Sequence, residues 1–80
     1  MTSQELLDPI RFIVAEVMAT AVDNVTIQST NLNLEGWDSL RHLTLISTLC
    51  DTFDIEIEDD EIEECLEITG IISLVERKTG

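Results

Sequence analysis

The apolar positions of this chain fall into helical stripes separated by polar stretches. Leu6, Ile10, Ile13, Val14 and Val17 recur at the i, i+3, i+4, i+7 spacing of one helix face. This predicts a first helix over residues 3 to 20. Two start signals compete at its beginning. Thr2 with Glu5 resembles a capping box, while Asp8 with Pro9 resembles an N-cap followed by proline in the first helical position. Proline is tolerated only in the first turn, so the helix is expected to start late or to bend at Pro9. A second helix is predicted from Ser39 to Phe53. Its buried face is read as Leu43, Ile46, Leu49, Cys50 and Phe53, with Arg41, Thr44, Ser47, Thr48 and Asp51 facing elsewhere and Leu45 on the less buried side. A short third helix runs from Asp59 or Asp60 to Cys65, with Asp59, Asp60 and Glu61 at the positive end of its dipole. A fourth, over residues 69 to 78, has Thr69 as N-cap, Ile71, Ile72, Leu74 and Val75 as apolar contacts, and Arg77 and Lys78 at its C-terminus.

Between the first two helices lies a loop over residues 21 to 38. Asn24, Ser29, Thr30, Asn31, Asn33 and Gly36 supply turn chemistry. Val25, Ile27, Leu32 and Leu34 are expected to pin it to the core. A loop this long in so short a chain points to function. Ile55-Glu56-Ile57-Glu58 alternates like a strand but has no partner, so it reads as a connector with both isoleucines turned inward. The predicted fold is all-α: a four-helix bundle of three main helices and one short one, with a long first loop, in a single domain over residues 1 to 80.

Length and charge narrow the function. The chain has 80 residues. A domain of that size buries only about 60% of its unfolded surface, which favours a binding or carrier module over an enzyme with a deep cleft. Seventeen acidic and four basic residues leave a net charge of −13. Such a surface repels nucleic acid and anionic lipid, attracts basic partners and resists self-association, so a monomer is expected. Residues 51 to 67 contain ten acids and no base. The Asp54, Glu56, Glu58, Asp60 series resembles a calcium loop, but Asp59 and Cys65 stand where glycine and glutamate are required. A solvated acidic face that docks basic partners is the reading adopted. Cys50 and Cys65 form no CxxC pair and read as structural thiols. No apolar run approaches the ~20 residues of a membrane span, and residues 1 to 5 lack the features of a signal peptide. A cytoplasmic location with no membrane partner is expected.

The candidate chemistry lies at Asp38-Ser39-Leu40, where a glycine-containing loop meets an amphipathic helix. Backbone N–H groups are unpaired there and the dipole is positive, so a phosphate ester on Ser39 would meet a favourable field. On these residues alone the plainer reading is preferred, in which Asp38 or Ser39 is an ordinary N-cap worth about 1 kcal/mol. Trp37 reads as a partly buried loop anchor or as an aromatic docking contact. His42, the single histidine, reads as a surface residue that touches partners. A Ser-His-Asp hydrolase is set aside, since positions along one short helix build neither an oxyanion hole nor a pocket.

The wider stretch from Leu32 to Leu43, with Gly36-Trp37-Asp38-Ser39-Leu40 at its centre, resembles the attachment segment of acyl carrier proteins. Phe53-Asp54-Ile55-Glu56-Ile57 and Asp59-Asp60-Glu61-Ile62 extend the resemblance to about residues 5 to 78. It implies a carrier rather than an enzyme, in which Ser39 bears 4′-phosphopantetheine taken from coenzyme A and Asp38 aids the transfer by helping to place a metal ion in the transferase complex. It implies three kinds of partner: a phosphopantetheinyl transferase, an acyl-loading ligase or acyltransferase, and a ketosynthase or other acyl-processing enzyme. Trp37, Leu40, Arg41 and His42 are expected to dock these partners, as are Thr44, Leu45 and Glu61. Fatty-acid carriers often show acids along the exposed start of helix two, where this chain has Arg41 and Thr44. That departure favours a specialised polyketide, hybrid-peptide or modified amino-acid pathway. Two alternatives stay open: an aminoacyl carrier of non-ribosomal peptide type, although the second glycine usual there is absent, and a non-carrier interaction domain of the same fold.

Overall fold

The computed structural model describes residues 3–79. Three α-helices, α1 (Ser3–Met18), α2 (Ser39–Phe53) and α3 (Ile68–Thr79), are accompanied by a short 3₁₀ helix at Asp59–Leu66. A further 3₁₀ turn, Val22–Asn24, sits within the long loop. The all-α expectation of three main helices and one short one is met. The strand-like Ile55 and Ile57 pack on the core as a connector, and the sole β-type pairing among the described residues is the isolated bridge between Thr30 and Glu67.

α1 begins at Ser3, the earlier of the two starts, and differs from its sequence reading at its C-terminal end. Pro9 lies inside the helix without ending it. Leu6, Ile10 and Val14 are fully buried on either side of the proline, so core packing carries the helix through it. The Thr2 half of the capping box lies outside the described residues. The helix stops two residues earlier than expected, because Ala19 turns left-handed with φ 57°. Thr20 N–H donates to the Ala15 carbonyl at 3.0 Å and Ala19 N–H to that of Glu16 at 3.2 Å. These are the paired bonds of a Schellman ending, here built without glycine.

The buried face of α2 is turned from the expected one. His42, Leu45, Ile46 and Leu49 face inward, while Leu43 is 56% exposed. Both stripes satisfy helical spacing and share Ile46 and Leu49, so the sequence pattern alone does not separate them. Leu45, expected on the less buried side, is fully buried. At α3, Thr69 lies inside the first turn rather than capping it.

The long loop is strapped down by polar bonds as much as by apolar contacts. Val25 and Leu34 are buried as expected, but Ile27 and Leu32 are exposed. Arg11 of α1 donates from Nε to the Val25 carbonyl at 2.6 Å and from Nη2 to that of Val22 at 3.1 Å. Buried Ser29 accepts from Thr26 N–H on its hydroxyl at 2.9 Å. Its carbonyl accepts from Ile68 N–H at 3.0 Å, and Asn31 N–H donates to the Leu66 carbonyl at 2.9 Å. The loop is thereby fixed to the junction of the 3₁₀ helix and α3, and its end is delivered to the start of α2.

Candidate functional site

The turn before α2 is built by Gly36, whose φ of +93° favours glycine. A Cβ at Gly36 would stand 3.0 Å from the Met18 carbonyl oxygen and 3.1 Å from Arg41 Nη1. The chain then runs extended through Asp38, which caps α2 by accepting from Arg41 N–H on Oδ1 at 2.8 Å. Its carbonyl accepts from His42 N–H at 2.9 Å. Asp38 is therefore the N-cap, and Ser39 is free for another use. Ser39 is the first residue of the helix and is exposed. No hydrogen bond engages its hydroxyl among the described residues. The hydroxyl thus stands in water at the positive end of a 15-residue helix.

Three expected docking residues, Trp37, His42 and Leu45, prove to be buried. Trp37 is 6% and His42 7% exposed. Trp37 Nε1 donates to His42 Nδ1 at 3.0 Å, and His42 Nε2 lies 3.0 Å from the Ile62 carbonyl oxygen. His42 is turned inward because it occupies the buried stripe of α2 and finds polar partners there, which a buried imidazole requires. Leu45 is likewise core. Arg41 is half-buried, its Nη1 donating to the Met18 carbonyl at 2.6 Å. Glu61 is also engaged internally. Its Oε1 meets Lys78 Nζ at 2.9 Å and closes a capping box with Glu58 N–H at 2.9 Å. The Glu58 hydrogen bond and the Lys78 ammonium hold the Glu61 carboxyl below its ordinary range. What remains outward beside Ser39 is Leu40 at 75% exposure, Leu43, Thr44 and Ser47. A groove of about 410 Å³ runs beside Ser39, walled by Trp37, His42, Leu43 and Leu66.

All four basic side chains of the chain are engaged internally: Arg11 with Asp8, Arg41 with Met18, and Arg77 and Lys78 with Glu61, Arg77 also with Glu64. The acidic surface therefore presents little compensating charge to a partner. Both cysteines are free, Cys65 buried and Cys50 half-buried, and burial pushes the Cys65 thiol up to about 12. Among the described residues no cluster of His, Cys, Asp and Glu is placed to hold a metal ion, and no helix is long and apolar enough to cross a membrane. Neither residue type nor spacing signals the Trp37–His42 bond at the start of α2 or the Arg41–Met18 bond across the long loop.

Residues 8–77 match the model of a family described as "Phosphopantetheine attachment site". The chain is 33% identical over 72 residues to an acyl carrier protein of Campylobacter hominis, covering 90% of this chain and 91% of that protein. It is 30% identical over 78 residues to one of Exiguobacterium, covering 98% and 99%. One of Akkermansia muciniphila is 25% identical over all 80 residues of both. The chain belongs to the acyl carrier protein family, whose cofactor is covalently attached 4′-phosphopantetheine. The residues present fit that group, because its phosphate would meet the Ser39 and Leu40 N–H groups, which the Asp38 cap leaves unengaged among the described residues, and its length would extend into solvent.

Proposed function

We propose that Ser39 is the attachment residue and that the protein is a carrier with no reaction of its own. The observation that carries this is the exposed, unengaged Ser39 hydroxyl at the positive end of α2, with the capping duty discharged by Asp38. A transferase joins Ser39 Oγ to the phosphorus of the pantetheine arm. The hydroxyl proton leaves, and the nucleotide half of coenzyme A departs. The arm supplies a thiol that holds an acyl group as a thioester. Asp38, beside the new phosphodiester, aids metal placement in the transferase complex.

The docking face consists of Leu40, Leu43, Thr44 and Ser47, which surround Ser39 on the outward side of α2. No acid occurs between residues 39 and 50, so partners are met there by apolar and hydroxyl contacts, with the acidic surface acting at longer range. That composition supports a loading ligase or acyltransferase and acyl-processing enzymes, such as a ketosynthase, of a specialised biosynthetic pathway. The strong negative charge supports a cytoplasmic monomer that takes neither nucleic acid nor membrane as partner.

The test is incubation with coenzyme A and a broad-specificity phosphopantetheinyl transferase, read by intact mass. One arm is expected on the wild type and none on Ser39→Ala. A wild type that gains nothing, or a variant that still gains the arm, overturns the reading.

A further inference from the structure

An indole N–H only donates. Since Trp37 Nε1 lies 3.0 Å from His42 Nδ1, that nitrogen is the accepting, unprotonated one. The ring proton therefore sits on Nε2, which donates to the Ile62 carbonyl oxygen at 3.0 Å. Both bonds demand the same neutral tautomer. Together they join three pieces of the molecule: the loop ahead of Ser39, the first turn of α2 and the 3₁₀ helix Asp59–Leu66. Trp37 precedes Ser39 by two residues and His42 follows it by three, so the clamp brackets the attachment point.

We propose that His42 is a positioning residue for arm attachment, its neutral Nε2–H form clamping Trp37 so that the Gly36–Ser39 turn keeps the shape a transferase must grip. This rests on Ser39 being the attachment residue. An imidazolium has two donors and no acceptor. Proton uptake on Nδ1 sets two N–H groups against each other and releases the indole. The Ile62 bond survives, so the response is confined to the loop. Among the charged groups near the ring, Asp38 shares its groove and is engaged by Arg41 N–H. On the 3₁₀ helix, Glu61 and Glu64 are drawn to Arg77 and Lys78, and Glu63 is exposed.

Trp37 is the single tryptophan, so its indole N–H resonance and hydrogen exchange report the clamp directly. The experiment compares that resonance and the rate of arm attachment in the wild type, His42→Gln and His42→Ala. His42→Ala is expected to lose indole protection and rate together, several-fold. His42→Gln offers an amide oxygen to Trp37 and an amide N–H to Ile62, so it is expected to restore most of both. If His42→Ala does not fold, Trp37→Phe, which keeps an aromatic anchor without the indole donor, takes its place in the rate comparison. An indole as protected without His42 as with it, or a rate that does not follow the protection, overturns the proposal. No arm on the wild type overturns the attachment reading instead, and the indole exchange separates the two failures.

Discussion

Arg41 Nη1 donates to the Met18 carbonyl at 2.6 Å, so the first turn of α2 is fastened to the last turn of α1 across the Gly36 turn. A cation at a helix C-terminus completes an orphan carbonyl and meets the negative end of the dipole. Arg41→Ala is expected to lower stability by about 1–3 kcal/mol, the cost of removing a charged donor from a part-buried carbonyl. Denaturant unfolding checks this, and a midpoint equal to that of the wild type would show that the bond carries nothing.

Gly70→Ala separates local propensity from packing. In an exposed helix interior the change gains about 1 kcal/mol. At Gly70 the new Cβ would overlap the Glu64 carbonyl oxygen, so α3 and the 3₁₀ helix must part. The variant is expected to melt lower than the wild type by 4 °C or more, taking about 4–8 °C per kcal/mol for a domain of this size. A higher melting temperature would mean that the two elements are not in this contact.

Ala19→Gly is expected to act in the opposite sense. Ala19 ends α1 at φ 57°, a region that costs a residue with a Cβ about 1–2 kcal/mol. Glycine removes most of that strain while keeping both closing hydrogen bonds, and part of the gain is lost to chain entropy. A rise of several degrees in thermal melting is the expected result, and a fall would contradict the left-handed ending.

Stability is expected to decline at both extremes of pH for identifiable reasons. Cys65 is pushed up from 9.0 to about 12, chiefly by burial. Its contribution is complete below about pH 9 and is lost as the pH rises from there towards about 12. Glu61 is held below 4.5 by the Glu58 N–H and then by Lys78. Its contribution is complete above pH 4.5 and fades as the pH falls through the lower folded value. Unfolding curves of Cys65→Ser and Glu61→Gln against wild type test the two limbs separately. Thiol labelling at neutral pH should modify Cys50 readily and Cys65 only on unfolding. Equal rates would remove the burial argument.

Most of the secondary structure and the place of the candidate site were legible in the residues. α2 spans Ser39–Phe53 as its pattern predicts, and Asp38-Ser39 sits at its start. Local signals suffice there, because an N-cap acts on its own helix within one turn. Pro9 lies inside α1 with Leu6, Ile10 and Val14 buried around it, and α1 ends at an alanine where glycine is usual. The inward face of α2 was ambiguous between two stripes of equal periodicity, and only its packing partners chose between them.

The sequence by itself determined an acidic all-α chain with Asp38-Ser39 at the head of α2, since composition, periodicity and capping are properties of neighbouring residues; its resemblance to the acyl carrier proteins implied the carrier. Only the tertiary structure decided which of the surrounding side chains are available to a partner. His42, Trp37, Leu45, Arg41 and Glu61 are drawn into the protein by groups 5 to 23 positions away or by the core itself. Leu40, Leu43 and Thr44 are left outside. Such pairings depend on where separate elements meet in space, and no local pattern records that.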